Sequence, residues 1–391
     1  MSKPFGFEKP LGMRDTLPSL YETKARLRRQ MEQDIYSWGY RFVETPALEY
    51  YETVGTATSI EERQLFKLLD QEGKSVVLRP DMTAPIARIA ASALKENPFP
   101  LRLAYDTSVF RAQQREGGQP AEFEQVGVEL IGDDSVSADA EVISLMVCVL
   151  KKAGLRDFKV AVGHVGYVNK LLAEIAGNEE RADDLRRFLF EKNYVGFRKY
   201  AEDLGLSSID RSRLAALLEL RGGNQKISEA SKLVEGLEGK KMLEDLGRLA
   251  NLLEDYGVGA HVQFDFTMVS HMDYYTGIVF EGVNGSIGFP LASGGRYDEL
   301  LGRFGLPAPA TGFGVFFDRL VEAVGPKAEE GAPYCILYTP ERRKEAMAEA
   351  SKRRSNGESV VLQELVGVPD IDRFTERFSK VLYFLGKEAE R

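Results

Sequence analysis

The 391-residue sequence predicts an α+β fold in more than one domain, and three observations carry that reading. Strand-like and helix-like stretches mix over roughly the first 150 residues. Residues 165–258 are then almost all helical in pattern, and strand candidates resume behind them. A short tail from about residue 326 reads strand, helix, strand, helix, strand. The expected organisation is a core at 1–325, with 165–258 as a helical insertion between two halves of one sheet, and a small α/β unit at 326–391. A chain of this length has ample material for a sizeable buried core.

Taken in order, residues 20–38 place Leu20, Tyr21, Ala25, Leu27, Met31, Ile35 and Trp38 on roughly one helical face, and the pattern stops at Gly39. A strand-like stretch at 40–43 precedes Thr45 and Pro46. Stretches 65–69 and 75–78 flank a turn containing Gly73 as a hairpin. Residues 83–94 read as a helix that tolerates Pro85, because first-turn N–H groups lack an intrahelical acceptor. Residues 101–111 and 122–132 are strand candidates joined by a polar loop with Gly117, Gly118 and Pro120.

Strand alternation in the second of these puts Val126, Val128 and Leu130 on one face. Phe123, Gln125, Gly127, Glu129 and Ile131 fall on the other. One face is apolar; the other sets a carboxyl and an amide beside a glycine. A helix over 137–152 ends in Lys151, Lys152 and Gly154, which suit a carboxyl terminus. Within the helical block, Met242, Leu243, Leu246, Leu249, Leu252 and Leu253 show the helical period. Further strands are expected at 261–269, 277–282, 289–292 and 312–316, then a helix at 317–324. The tail reads as strands 335–338, 359–362 and 381–384 with helices 341–354 and 370–378.

Composition excludes several classes. With 51 Lys+Arg against 60 Asp+Glu the net charge is -9, so nucleic-acid binding would need a local basic patch. Three histidines at no metal-binding spacing argue against a metal site. The longest uncharged apolar run, 142–150, is about half a membrane span. No apolar signal core opens the chain, so a cytoplasmic protein is expected. Cys148 and Cys335 stand far apart and fit a reducing compartment.

Certain stretches then suggest chemistry. They are Leu78-Arg79-Pro80-Asp81-Met82-Thr83-Ala84, Phe110-Arg111, Phe123-Glu124-Gln125-Val126-Gly127-Val128-Glu129, Asp273-Tyr274-Tyr275-Thr276-Gly277, Gly294-Gly295-Arg296-Tyr297-Asp298, and Gly312-Phe313-Gly314 with Arg319. Carboxylates such as Asp81 and Glu129 suit an α-ammonium group, since a charge-assisted hydrogen bond contributes roughly 1.5 to 3 kcal/mol. Gly127 leaves room over the sheet, and a tyrosine supplies an apolar wall with a polar tip. Each residue also has a plainer role open to it. Asp81 or Thr83 could cap the next helix, Glu129 could pair with Arg79, Tyr274 and Tyr275 could be core packing, and Arg296 with Asp298 could be an internal ion pair.

In that order the stretches resemble class II histidyl-tRNA synthetases over residues 9 to about 322. The resemblance implies an antiparallel sheet flanked by helices and a dimer formed through residues about 20–50. It also implies a pocket for free histidine built from Asp81, Thr83, Gln125, Glu129, Tyr274 and Tyr275, with Arg111 beside them. Departures matter as much. Where such enzymes carry a glutamate and several arginines, this chain has Gln113, Gln119, Ala121 and Ser270, the last followed by His271. Losing one transition-state cation costs on the order of 100-fold in rate, and losing several argues against aminoacylation. The tail is also short for an anticodon-binding domain. From 326 to 391 its twelve basic and twelve acidic residues cancel, so it offers no surplus of positive charge to RNA.

A chain that keeps the histidine pocket but loses these features resembles the synthetase-like regulatory subunit of ATP phosphoribosyltransferase. That resemblance implies no catalytic residue, no cofactor and no tRNA or membrane partner. The implied partners are a short-form catalytic subunit, a second copy of the chain, and free histidine as feedback inhibitor. An active histidyl-tRNA synthetase of reduced form and a synthetase-like binding protein remain as alternatives.

Overall fold

The computed structural model describes residues 8–112, 120–269, 274–285, 287–325 and 333–386, which fall in two compact units, Met1–Pro326 and Lys327–Arg391. The first unit opens with α1 (Pro18–Ser37), whose stripe buries Leu27, Met31 and Ile35. Its strands are β1 (Arg41–Phe42), β2 (Leu48–Tyr50), β3 (Lys67–Leu69), β4 (Ser75–Leu78), β5 (Leu101–Phe110), β6 (Glu122–Ile131), β7 (Phe158–His164), β8 (Arg221–Gly222), β9 (Val262–Asp265), β10 (Ile278–Asn284), β11 (Ala292–Arg296) and β12 (Ala310–Phe316). Between β4 and β5 lies α2 (Thr83–Ala91), and after β6 comes α3 (Val136–Lys152).

Among the described residues, nine strands form one sheet in the order β1-β5-β6-β12-β11-β10-β7-β9-β8. Every neighbouring pair from β5 to β7 is antiparallel, as expected. The sheet is nonetheless mixed, because β1 joins β5 and β9 joins β7 in parallel. Both edge strands have two residues, too short to invite pairing with another chain. β2, β4 and β3 make a separate antiparallel sheet.

The register fixes which side chains share a face. Leu103, Glu129 and Gly312 stand opposite one another on β5, β6 and β12, as do Tyr105, Gly127 and Gly314. Val126, Val128 and Leu130 face the other way and join Ile143, Leu145, Met146 and Val149 of α3 in the main core. The sheet thus has a greasy side against α3 and α1, and a polar side partly roofed by α2.

Between β7 and β9 run α4 (Val165–Ala176), α5 (Glu179–Phe190), α6 (Tyr194–Asp203), α7 (Ser208–Leu218), α8 (Gln225–Ala230) and α9 (Leu237–Asp255). Asn178, Asn193 and Ser207 cap α5, α6 and α7 through side-chain oxygens, where first-turn N–H groups need acceptors. This block also contributes β8, whose Arg221 reaches Asp265 of β9 at 2.7 Å.

Two strands differ from expectation. β7 has no counterpart in the sequence reading, although Phe158, Val160 and Val162 alternate and are buried. β11 begins where a strand was expected to end, since Gly294 and Gly295 have poor strand propensity on their own. Pairing with β10 on one side and β12 on the other overrides that preference. After β12, α10 (Phe317–Val324) closes the unit.

The second unit holds β13 (Tyr334–Tyr338), β14 (Val360–Glu364) and β15 (Lys380–Phe384), all parallel in the order β14-β13-β15. Ile336 packs with Ala346 and Ala350 of α11 (Arg343–Ser355) on one face. Cys335 and Leu337 pack towards Val368, Phe374 and Phe378 on the other, around α12 (Ile371–Thr375).

A buried ion pair ties α3 to the sheet: Arg296 at the end of β11 meets Asp139 at 2.8 Å, with Asp298 at 3.3 Å. Arg296 therefore serves inside the fold. Removing one partner strands a buried charge, whereas removing both does not. Arg296→Leu is expected to cost about 3 to 5 kcal/mol of unfolding free energy, and Asp139→Leu added to it much less than a second such loss. Urea denaturation of the two variants measures the difference.

Candidate ligand-binding site

The polar side of β6 and β12 forms the floor. Glu129 lies across Gly312, where a Cβ would stand 1.8 Å from its Oε2. Only a glycine admits a carboxyl there. Gly127 has the same geometry with another occupant: a Cβ would stand 2.5 Å from the ring of Tyr105 and 2.3 Å from the carbonyl of Phe313. The room that Gly127 was expected to leave for a ligand is therefore filled by Tyr105.

The entry to α2 supplies the roof. Asp81 is 4% exposed; one oxygen accepts from the Ala84 amide at 3.2 Å and the other from the Thr58 hydroxyl. It caps the helix and lines the cavity at once. Thr83 donates to Glu129 Oε1 at 2.9 Å, and Tyr297 donates to Oε2. Arg79 does not pair with Glu129, because it donates to the carbonyls of Thr45 and Ser108 and to the Thr107 hydroxyl.

Burial pushes the Glu129 carboxyl up to about 8, and the nearby Asp81 charge adds to the rise against the opposing hydroxyl bonds. Tyr274 and Tyr275 form a wall, their ring centroids 4.9 Å apart and edge to face, with Tyr297 5.7 Å from Tyr274. Burial also raises both phenols, so they stay protonated as donors. Arg111 donates to the Pro80 carbonyl at 2.8 Å and lies over the Phe123 ring. Burial lowers its guanidinium, with Asp81 opposing.

Asp81, Thr83, Arg111, Gln125, Glu129, Tyr274 and Tyr275 all line one cavity, which is partly open to solvent. Two carboxyls, an amide, hydroxyls, one guanidinium and an aromatic wall can hold a small zwitterion with a polar ring. Tyr105, Tyr297 and Thr58 were not singled out from the sequence. Tyr297 sits inside the Gly-Gly-Arg-Tyr-Asp stretch between two charges that drew the attention. Tyr105 shares its face with Leu103 and Thr107 by simple alternation.

Gln113, Gln119, Ser270, His271 and Asp273 lie outside the described residues. Ala121 is buried, its backbone bonded to Gly12 and Arg111. Arg319 donates to the Pro290 carbonyl at 2.8 Å and stacks on Phe316 and Phe289. Among the described residues no group of His, Cys, Asp and Glu is placed to hold a metal ion, and no helix is long and apolar enough to cross a membrane.

The family model described as histidyl-tRNA synthetase matches residues 12–320, and that described as histidyl-tRNA synthetase HisZ, C-terminal domain, matches residues 335–386. A protein of Halalkalibacterium halodurans named ATP phosphoribosyltransferase regulatory subunit is 59% identical over 388 residues, spanning 99% of this chain and 98% of the relative. The chain belongs to the ATP phosphoribosyltransferase regulatory subunit family. A Bacillus subtilis member is 56% identical over 386 residues, 99% of each chain. The solved structure described as an ATP phosphoribosyltransferase regulatory subunit/histidyl-tRNA synthetase from Bacillus halodurans matches at a TM-score of 0.94 and 58% identity, covering 99% of this chain and 100% of that one. Histidyl-tRNA synthetase from Nostoc sp. PCC 7120 matches at a TM-score of 0.80, but at 19% identity, which shows a shared fold alone. The ordered motifs therefore pointed to the right family.

Gly312→Ala tests the floor. Its Cβ would meet both Glu129 and the Val128 carbonyl, 2.4 Å away, and backbone cannot give way cheaply. The variant is expected to lose about 1 to 3 kcal/mol of stability by urea denaturation. Wild-type stability for Gly312→Ala would show that Glu129 does not rest on the strand.

Proposed function

We propose that this chain is the non-catalytic regulatory subunit of an ATP phosphoribosyltransferase: a short catalytic chain depends on it, and through it histidine inhibits the first step of histidine biosynthesis. Near-full-length identity to relatives bearing that name carries the first half. The cavity supports the second. In this reading Asp81 and Glu129 face the ligand's cationic groups, Arg111 its carboxylate, Gln125 and Thr83 its remaining polar atoms, and Tyr274 and Tyr275 the ring. Histidine can change the catalytic chain's activity only by binding the active and inhibited assemblies with different affinity, a coupling of about 1 to 3 kcal/mol.

The subunit works in the cytoplasm without tRNA. The acidic excess supports the absence of tRNA, because the balanced tail leaves the whole net charge of -9 on residues 1–325. Self-association runs through residues about 20–50, where Leu20, Tyr21, Tyr36, Phe42, Leu48 and Tyr50 are all more than a third exposed. Exposed apolar side chains in this stretch support that reading.

Mixed with a short-form phosphoribosyltransferase, the chain should co-elute with it and raise its rate, and histidine should suppress that rate. Histidine-dependent exchange of pyrophosphate into ATP by the chain alone would instead reveal an active synthetase. Glu129→Gln removes one charge-assisted contact, so half-inhibition should need about 10- to 100-fold more histidine. An unchanged inhibition curve would exclude the cavity as the histidine site. Tyr21→Glu and Tyr50→Glu together should halve the mass of the isolated chain in sedimentation; a full-mass species would place the contact elsewhere.

A further inference from the structure

The nine-stranded sheet ends on both sides in strands of two residues, but the sheet of the second unit ends in β14 and β15, each five residues long. An edge of that length presents a row of backbone N–H and C=O groups to any strand of matching register. The two edges are not equivalent.

Along a strand, successive residues turn their backbone groups to opposite sides. Ser359, just ahead of β14, gives its carbonyl to Tyr334 of β13, so Val360 and Glu364 turn theirs outward. Arg354 donates to the Val360 carbonyl at 2.9 Å and Gln363 to the Glu364 carbonyl at 3.0 Å, so side chains occupy that edge. On β15, Phe384 gives its carbonyl to Thr339 at the end of β13. Leu382 therefore faces β13 as well, and Val381 and Tyr383 turn both N–H and C=O outward. Among the described residues nothing bonds to them there. β15 also lacks the usual protection of a bare edge: it has no proline, and its one charge, Lys380, stands at its start. Tyr383 is 51% exposed, and Val381, Leu382 and Phe384 are half-buried, although strands of a parallel sheet are ordinarily covered on both faces.

We propose that β15 is a self-association edge: it pairs antiparallel with β15 of a second copy about a twofold axis at Leu382, joining two three-stranded sheets into one. This register overlaps all five residues of the strand. It sets Val381 opposite Tyr383 of the second copy, and the reverse, so the outward groups of each pair exchange both their N–H···O bonds. Leu382 meets its own copy and extends the row that begins at buried Ile336 of β13. Lys380 comes opposite Phe384, so no two like charges face each other across the ladder. Aromatic against β-branched and apolar against apolar are favourable cross-strand pairs. This self-complementarity is what selects a second copy as the occupant. The edge is separate from residues 20–50 and does not rest on the regulatory reading.

The experiment is cysteine cross-linking of the full chain in a Cys148→Ser background, with Cys335 left in place because it is buried. At the twofold axis the two Leu382 Cα atoms would lie about 4.5 Å apart, within reach of a disulfide. Under copper-catalysed air oxidation Leu382→Cys should run at twice the chain's mass on a non-reducing gel. Lys380→Cys should stay single, because four residues of offset separate the two copies of that position by roughly 13 Å along the strands. Tyr383→Pro removes an outward N–H without touching the bonds to β13, so adding it to Leu382→Cys should abolish the double-mass band. The band should survive Tyr21→Glu with Tyr50→Glu, which tests the contact at 20–50 independently. A Leu382→Cys chain that stays single, or a Lys380→Cys chain that cross-links equally well, overturns the proposal. So does a Leu382→Cys thiol that remains open to maleimide in the chain alone and is shielded only when the short catalytic chain is added, since the edge would then belong to that partner.

Discussion

A carboxyl buried on a sheet with hydroxyls instead of a cation for neighbours is the constraint around which the first unit's polar side is arranged. Glu129 needs a strand neighbour without a side chain, which Gly312 provides. Its two oxygens need donors, which come from Thr83 at the start of α2 and from Tyr297 beyond β11. One side chain thus fastens a helix and a distant strand to the floor. Leaving either oxygen without a partner would cost about 1 to 3 kcal/mol, enough to hold both donors in place.

The greasy side of the sheet enforces the same geometry from behind. Val126 and Val128 are buried against α3, and a one-residue slip of β6 would exchange them with Gln125, Gly127 and Glu129. Arg296 adds a polar lock, because it meets Asp139 of α3 and also donates to the carbonyl of Asp133. Tyr297 is the next residue. The position of the hydroxyl on Glu129 is therefore set by an ion pair on the far side of the strand. Packing on one face and hydrogen bonding on the other specify a single register.

Much of this was legible in the sequence, for a definite reason. Period-two alternation in 122–132 is independent of context, so it sorted Gln125 and Glu129 from the valines before any pairing was known. α1 and α3 were legible because their stripes are long. What escaped depends on pairing. β11 contains two adjacent glycines and forms only because strands flank it on both sides. Tyr105 fills the space over Gly127, a relation between β5 and β6 that neither strand announces by itself. Glu129 and Arg79 could have paired by charge alone. Arg79 instead meets backbone carbonyls, an acceptor class that carries no sequence signal.

Among the described residues, the cations of the polar side fit the proposed role of binding without turnover. Adenylyl transfer needs several positive groups aimed at phosphate oxygens as charge develops. Of the motif arginines, Arg111 donates to the Pro80 carbonyl and lies on Phe123, while Arg319 donates to the Pro290 carbonyl and lies between Phe316 and Phe289. Each is seated in the fold by a carbonyl and an aromatic face. Ala121 is buried and brings no charge. Carboxyls, hydroxyls, rings and the guanidinium of Arg111 line the cavity, and these are groups suited to an amino acid. Affinity for such a ligand is all that a regulatory subunit requires, because linkage converts a difference in binding between two assemblies into control of a partner's rate.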